Sequence, residues 1–156
     1  IFGNKIYPPR KESLLRAIEK ITVSDILGFT LGGCQFIKSG NVIIICRDKR
    51  AITAREVTAG IRLNWDGLFD VQIAGPSGAA GRLAALGEKG WCEIVTKKQE
   101  LKGSFIPYPV RITLPALFDV HGVTQVPGLG YQREGIKTSF LTMSKIIFKP
   151  AKHQKL

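Results

Sequence analysis

An α+β domain, built on a largely antiparallel sheet packed with a few short helices, is the fold class that this sequence predicts. Short apolar segments that end at Gly, Pro or Asn recur along its 156 residues, and few segments carry apolar residues at helical spacing. Because 44% of the residues are hydrophobic and a chain of this length can bury a core, we expect a single domain over residues 1–156. A basic arm over 1–12 and a basic tail over 149–156 are expected to flank it.

The first third of the chain predicts one helix and one hairpin. Pro8 and Pro9 indicate an extended arm before the helix. The helix is short and amphipathic, begins near Ser13 as a possible N-cap and runs to Lys20. Its apolar residues recur at helical spacing and are Leu14, Leu15, Ile18 and Ile21. Two apolar runs then flank Ser39, Gly40 and Asn41, which predicts a β-hairpin whose second strand, Val42–Cys46, is buried.

The middle of the chain alternates between strand patterns and glycine-rich turns. We expect a strand over 51–63, a turn at Asp66 and Gly67, and a second strand in the segment LFDVQIAG. A glycine-rich loop over 75–81 follows, then a short helix over 82–86, a strand over 91–96 and a polar loop over 97–103.

The last third predicts two strands and a long loop. A strand over 110–114 is expected to end at Pro115, because proline cannot continue a central strand. The segment GVTQVPGLGYQREG, residues 122–135, predicts a long functional loop, and residues 140–148 a final strand.

The charge balance favours a phosphate-bearing partner. The chain has 23 basic and 12 acidic residues, for a net charge of +11, and the excess lies in segments 1–20, 47–62, 91–111 and 133–156. Clustered charge of one sign suits phosphate contact better than solubility alone. For the tail over 145–155, a basic surface that is merely solvated is as good an interpretation as phosphate contact. The longest apolar run, Val42–Cys46, is far below the about 20 residues that span a bilayer, so we expect no membrane partner.

The sequence supplies little enzyme chemistry. His121 and His153 have no partner at metal-ligand spacing. The three cysteines lie in apolar contexts, which favours small buried residues over nucleophiles, and their odd number favours a reducing compartment. Turn and capping roles are the default for Asp66, Asp70 and Asp119. We therefore expect a protein that is not an enzyme and that needs no cofactor or metal ion. Its first residue is Ile1, which we expect of a processed product or a fragment.

One glycine-rich segment supports an alternative, a Rossmann-like oxidoreductase that binds NADP. Gly75, Gly78 and Gly81 could let a backbone approach a pyrophosphate, and Lys97 and Lys98 would suit a 2′-phosphate. The predicted helix is, however, too short to cross a parallel sheet comfortably, and too few residues follow it to complete a doubly wound sheet.

The basic residues near the hairpin favour folded RNA as the partner. Arg47, Lys49 and Arg50 form a basic turn directly after the predicted buried strand, and Arg55 and Arg62 lie on the extended segment that follows. Guanidinium groups fixed at the edge of a sheet suit a structured phosphate backbone. Aromatic residues are few and form no evident stacking pairs, so recognition of shape and phosphate is favoured over single-strand reading.

Three segments resemble the ribosomal protein L-five family. Residues 51–75, AITAREVTAGIRLNWDGLFDVQIAG, resemble its central strand, loop and strand. Residues 111–124, RITLPALFDVHGVT, resemble its leucine-proline strand end and the turn after it, and residues 18–23, IEKITV, resemble its first strand. Together they cover less than half of the chain.

The resemblance implies a structural constituent of the large ribosomal subunit in the central protuberance. Implied partners are large-subunit ribosomal RNA, 5S ribosomal RNA if present, the P-site transfer RNA and neighbouring ribosomal proteins. Departures from the family pattern, such as about twenty extra residues between Gly75 and Leu114, suggest an organellar ribosome, most plausibly mitochondrial. Cytoplasmic and other organellar ribosomes fit less well. The implied RNA-binding residues are Arg47, Lys49, Arg50, Thr53, Arg55, Asp119, His121 and Gly122. The implied transfer-RNA-proximal loop contains Thr58, Gly60, Arg62, Asn64 and Gly67.

Overall fold

The computed structural model describes residues 10–23, 28–134 and 141–149. Within these ranges it contains three short α-helices and three antiparallel sheets, so the α+β class is confirmed. The helices are α1 (Lys11–Val23), α2 (Gly87–Lys97) and α3 (Tyr108–Arg111). The strands are β1 (Gly28–Leu31), β2 (Cys34–Ser39), β3 (Val42–Arg47), β4 (Arg55–Thr58), β5 (Arg62–Trp65), β6 (Phe69–Ala74), β7 (Ala80–Ala85), β8 (Pro115–Asp119), β9 (Gly122–Val126), β10 (Tyr131–Gln132) and β11 (Thr142–Phe148). None of the helices in the described ranges combines the length and apolarity needed to cross a bilayer.

The chain divides into two compact units, residues 1–51 and 52–156, each with a core of its own. In the first, α1 contacts a sheet with the strand order β1-β2-β3. Ile21, Cys34 and Phe36 form its buried cluster, and the Phe29 ring stacks on Phe36 with their centroids 4.8 Å apart. The predicted helix and hairpin are both confirmed, but the helix begins at Lys11, so Ser13 is not its N-cap, and it continues beyond Lys20.

The predicted burial of the second hairpin strand is wrong. In β3 the side chains of Val42, Ile43 and Ile45 are 60%, 46% and 55% exposed, and only Cys46 is buried. The reason is that the buried cluster of this unit draws its side chains from α1 and β2, with Phe29 and Leu31 of β1 packed against it, and no described residue of β3 contributes to it. An apolar run of this length is compatible with burial but does not require it.

Three layers build the second unit. A five-stranded sheet, in the order β10-β9-β8-β7-β4, has a three-stranded sheet, in the order β11-β6-β5, on one face and α2 on the other. The core between the sheets consists of buried side chains from six strands and the residue before β11; its members are Val57, Trp65, Val71, Ile73, Leu83, Leu117, Leu141 and Met143. The core under α2 consists of Leu86, Trp91, Ile94, Ala116, Val123, Val126 and Tyr131.

The element types over 82–96 are the reverse of the prediction. Residues 82–86, expected as a helix, lie mostly in β7, and residues 91–96, expected as a strand, lie in α2. The β7 residues Leu83 and Ala84 are buried on opposite faces of the sheet, so no alternating pattern marks the strand. Trp91 and Ile94, one helical turn apart, both face the second core.

The C-terminal third also differs from the prediction. Residues 108–111 are helix α3, so a strand over 110–114 is wrong, and Pro115 begins β8 instead of ending a strand. Proline is tolerated at the first position of a strand. The expected long loop over 122–135 contains β9, a 3-10 turn over 127–129 and β10, which pairs with β9. The expected polar loop over 97–103 is the end of α2 and a 3-10 helix. The final strand is confirmed as β11; Phe140 lies outside the described residues.

Candidate nucleic-acid interface

A basic groove lies on the three-stranded sheet of the second unit. Its volume is about 360 Å³, and we call it the sheet groove. It is lined by Arg62, Leu63, Asn64, Asp70, Val71, Gln72, Lys145, Ile147 and Lys149. Three of these side chains are basic and one is acidic, so the groove has an excess of positive charge.

Cross-strand register brings the polar side chains of the groove together. Arg62 on β5 and Lys145 on β11 both pair with Gln72 on β6, which lies between them. Asn64 and Ile147 pair with Asp70 in the same way. Side chains two residues apart on a strand share a face, so these two rows form one polar surface. The residues between them, Val71 and Leu63, alternate with the polar set.

Asp70 is neutralised within the groove. Asn64 Nδ2 donates a hydrogen bond to Asp70 Oδ1 at 2.9 Å, and Lys149 Nζ forms an ion pair with Asp70 Oδ2. The hydrogen bonds from Asn64 and then from Lys149 hold the pKa of the Asp70 carboxyl below its usual value. Arg62 and Lys145 are exposed, and within the described residues neither has an acidic partner within 4.0 Å. They are the two cations of the groove available to an anionic ligand.

The basic turn lies in the other compact unit, and its side chains are partly committed within it. The Arg47 guanidinium donates to the carbonyl of Gly33, and the Asp48 backbone N–H donates to the same oxygen at 2.8 Å. Arg50 N–H donates to Asp48 Oδ1 at 3.0 Å, while the Arg50 side chain is exposed. Arg47 and Lys49 are half-buried and have interaction partners. The turn is therefore well fixed, and Arg50 is its most accessible cation.

The segment implied to be a transfer-RNA-proximal loop is not a loop. Thr58 ends β4, Gly60 lies in a turn with a φ of 84°, and its N–H donates to the Ile73 carbonyl at 2.9 Å. Arg62 and Asn64 then lie on β5. A loop over these residues is therefore wrong, although both side chains lie in the sheet groove.

The turn at Asp66 and Gly67 is confirmed. Asp66 has a φ of 54° and Gly67 one of 67°, the left-handed conformations that tight hairpins require.

Two further implied RNA-binding residues, Thr53 and Arg55, lie near the start of the second unit. The Thr53 carbonyl accepts a hydrogen bond from Trp65 Nε1 at 3.2 Å, and its side chain is exposed. Arg55 is exposed on β4, an edge strand of the five-stranded sheet. Neither lines the sheet groove.

Asp119, His121 and Gly122 form the tight turn between β8 and β9, where internal contacts hold them. Arg133 donates two hydrogen bonds to the Asp119 carboxylate, at 2.8 and 3.2 Å, and further ones to the carbonyls of Gly122 and Val123. The His121 N–H donates to Asp119 Oδ1 at 2.8 Å. This pattern indicates that Asp119 serves the fold by holding Arg133.

Gly122 accommodates a second carboxylate. Both oxygens of Glu93, on α2, accept a hydrogen bond from the Val123 N–H, at 3.1 and 3.2 Å. Gly122 has a φ of 111°, and a Cβ there would lie 2.4 Å from Glu93 Oε2. Glu93 also forms an ion pair with Lys97. The glycine is thus favoured by its positive φ, and a side chain there would also displace the Glu93 carboxylate from the Val123 N–H.

The glycine-rich segment does not form the unit that the dinucleotide alternative needs. After β6, residues 75–79 make a turn that leads directly into β7, and Gly81 lies within that strand. A strand therefore follows the glycines where a helix N-terminus would have to receive the pyrophosphate. A Cβ at Gly81 would lie 2.6 Å from the Phe118 carbonyl oxygen, which explains this glycine by strand packing.

The cysteines differ in burial. Cys34 and Cys46 are buried, and burial, followed by the proximity of Cys34, raises the pKa of the Cys46 thiol. Both observations oppose a nucleophilic role for Cys46. Cys92 is exposed on α2, so its predicted burial is wrong. No three His, Cys, Asp or Glu side chains within the described ranges come together as metal ligands would.

Sequence reasoning missed several members of the groove and some aromatic contacts. The sequence predicts a basic tail that is as well explained by solvation for Lys145 and Lys149, and a turn role for Asp70, whereas all three line the groove. The alternation of polar and apolar residues along β6 and β11 is the signal that could have found them. The aromatic contacts were not predicted either: Phe29 stacks on Phe36, and the Phe69 ring contacts those of Trp65 and Phe148 across three strands.

No protein-family model, curated protein or solved structure matches this chain.

Replacing Gly122 tests whether this residue serves the fold. We expect Gly122→Ala to lower the free energy of unfolding by roughly 2 kcal/mol, because the φ of 111° is strained for alanine and its Cβ would collide with Glu93. Chemical denaturation measures this. Gly103→Ala is the control, since a Cβ there meets nothing within 4 Å. Equal stability of both variants would contradict the packing role.

The carboxyl of Asp119 predicts an acid-dependent contribution to stability. Partial burial favours its neutral form, but the hydrogen bonds from Arg133 and His121 outweigh this and lower its pKa. A group with a lowered folded-state pKa stabilises the fold above its ordinary value, near 3.8, and loses that contribution as the pH falls through the folded-state value. We expect Asp119→Asn to be less stable than wild type at neutral pH. The difference should shrink in acid, as followed by denaturation at a series of pH values, and a pH-independent difference would contradict it.

Proposed function

We propose that this chain is a non-enzymatic RNA-binding protein that holds folded RNA against the sheet groove. The observation that carries the proposal is the juxtaposition of Arg62 and Lys145 beside Gln72, on adjacent strands of one sheet. Both cations are exposed, and the one carboxylate of the groove is engaged by Asn64 and Lys149. An anionic ligand therefore meets positive charge with little opposing repulsion.

The chemistry of the groove favours phosphate over base recognition. Its lining contains cationic, amide and aliphatic side chains, one carboxylate, and no aromatic ring on which a base could stack. Cations on strands keep fixed spacings, which suits phosphates of a structured backbone whose own spacing is regular. The net charge of +11 supports long-range attraction of the same partner.

The finer proposal is membership of a large ribosomal subunit. It rests on the resemblance of residues 18–23, 51–75 and 111–124 to the ribosomal protein L-five family. In this proposal the chain binds large-subunit ribosomal RNA in the central protuberance of a mitochondrial ribosome, with 5S ribosomal RNA if present. The P-site transfer RNA and neighbouring ribosomal proteins are its other partners.

Removing the two unpaired groove cations tests RNA binding. We expect Arg62→Ala with Lys145→Ala to weaken binding to folded ribosomal RNA and to reduce the slope of log affinity against log salt by about 0.9 per lost phosphate contact. Filter binding at several salt concentrations measures both quantities. The control is Lys11→Ala with Lys89→Ala, which removes the same charge from exposed positions on α1 and α2.

Equal losses in the two double variants would contradict a specific groove and indicate a diffuse basic surface. A third variant, Lys49→Ala with Arg50→Ala, compares the basic turn with the groove at equal charge. The larger loss identifies the main RNA contact.

Association with ribosomes tests the finer proposal. We expect a tagged copy of the chain to co-sediment with the large subunit of mitochondrial ribosomes in a sucrose gradient and to be released at high salt. Sedimentation at the top of the gradient, with RNA binding intact in vitro, would overturn the ribosomal assignment while leaving RNA binding in place.

A further inference from the structure

The aromatic side chain of Phe105 is almost completely exposed to solvent. It is 96% exposed and lies between the 3-10 helix over 99–103 and α3. A single exposed apolar residue is common on protein surfaces and needs no explanation by itself. The backbone around this one, however, is fixed from both sides.

The Arg111 side chain clamps the segment that carries Phe105. Its Nη2 donates to the Ser104 carbonyl and its Nε to the Ile106 carbonyl, the two oxygens that flank Phe105. The same guanidinium lies over the Trp91 ring, 4.8 Å from the centroid, and Trp91 is buried in the core under α2. The clamp thus connects the Phe105 segment to the core.

Backbone hydrogen bonds complete the fixation. The Ser104 N–H donates to the Leu101 carbonyl at 3.1 Å, and the Ile106 N–H donates to Ser104 Oγ at 3.2 Å. Pro107, with a φ of −58°, starts α3 directly afterwards. A side chain on so constrained a backbone loses little conformational entropy on binding, which favours a role in recognition.

The surroundings of Phe105 favour a nucleobase as the occupant. Exposed Lys102 and Gly103 precede it in the chain, and exposed Pro107 and Tyr108 follow it. Two exposed aromatic rings, Phe105 and Tyr108, thus lie close in sequence to a lysine. On a chain of net charge +11, this matches the combination of aromatic stacking and phosphate contact in single-stranded nucleic-acid sites.

We propose that Phe105 stacks on an unpaired base of the bound RNA, with Lys102 contacting a neighbouring phosphate. This inference rests on the proposed RNA binding and adds a second contact to it. At this contact the protein recognises an unpaired base, whereas the sheet groove contacts phosphates. Arg111 acts as a positioning residue for the ring.

The test uses two RNA probes, a blunt-ended duplex and the same duplex with a short single-stranded extension. We expect wild type to bind the extended probe more tightly. Phe105→Ala should weaken that binding about 5- to 150-fold and leave the affinity for the blunt duplex unchanged. Phe105→Trp should keep the wild-type affinity and show quenched emission on binding, whereas Phe105→Leu, apolar but not flat, should behave as Phe105→Ala does.

The matched control is Val120→Ala, because Val120 is another apolar residue exposed to 93%. Its affinity for both probes should equal that of wild type, and all variants should keep the wild-type thermal midpoint. Full affinity of Phe105→Leu, or an equal loss on both probes, would overturn stacking. If Phe105→Ala changes neither affinity while the Arg62 and Lys145 variant still loses binding, base stacking by Phe105 is overturned and the proposed RNA binding by the sheet groove stands. If folded wild type binds neither probe, the proposed function fails with it.

Discussion

Burial of both faces of the five-stranded sheet is the constraint on which the second unit depends. Leu83 and Leu117 pair across β7 and β8 and face the three-stranded sheet, while Ala84 and Ala116 pair one residue away and face α2. All four are buried. Small residues on the helix side let α2 approach closely, which Gly90 assists, since a Cβ there would lie 3.3 Å from Val123 Cγ2 on β9. The inner face of the three-stranded sheet packs in the core between the two sheets, so its outer face is open to polar residues and forms the sheet groove.

The same burial of both faces explains why the sequence predicts some elements correctly and others wrongly. Along β6, buried Val71 and Ile73 alternate with Asp70 and Gln72, so the strand is readable from its pattern. A strand buried on both faces has no such alternation, and the alanine-rich β7 therefore has the local composition of a helix. The segment of α2 contains β-branched and aromatic residues and has the composition of a strand, yet packing of Trp91 and Ile94 on β8 to β10 makes it a helix. Tertiary burial overrides local propensity at both places.

The candidate site was predictable only in part, because it is assembled by register. The sequence singles out Arg62 by its charge. It singles out both Arg62 and Asn64 by the family resemblance, since both lie in the segment over 51–75 that carries it. Lys145 is far from them in sequence, and only the pairing of β5 and β11 with opposite edges of β6 brings it to the same Gln72. No local pattern encodes that pairing. The Phe105 clamp has the same origin, because the contact of Arg111 with Trp91 joins residues twenty positions apart through the core.

Net charge therefore overstates the cationic surface that a ligand can use. Several basic side chains are engaged inside their own unit: Arg47 with the Gly33 carbonyl, Arg133 with Asp119, Lys97 with Glu93 and Lys149 with Asp70. Arg82 lies over the Phe118 ring, 4.8 Å from its centroid. Releasing such a side chain to a phosphate would sacrifice an internal contact, so the exposed cations without an acidic partner gain most from binding. The internal contacts of the basic side chains, more than the count of lysines and arginines, therefore decide which cations an anionic ligand can reach, and Arg62 and Lys145 of the sheet groove are among them.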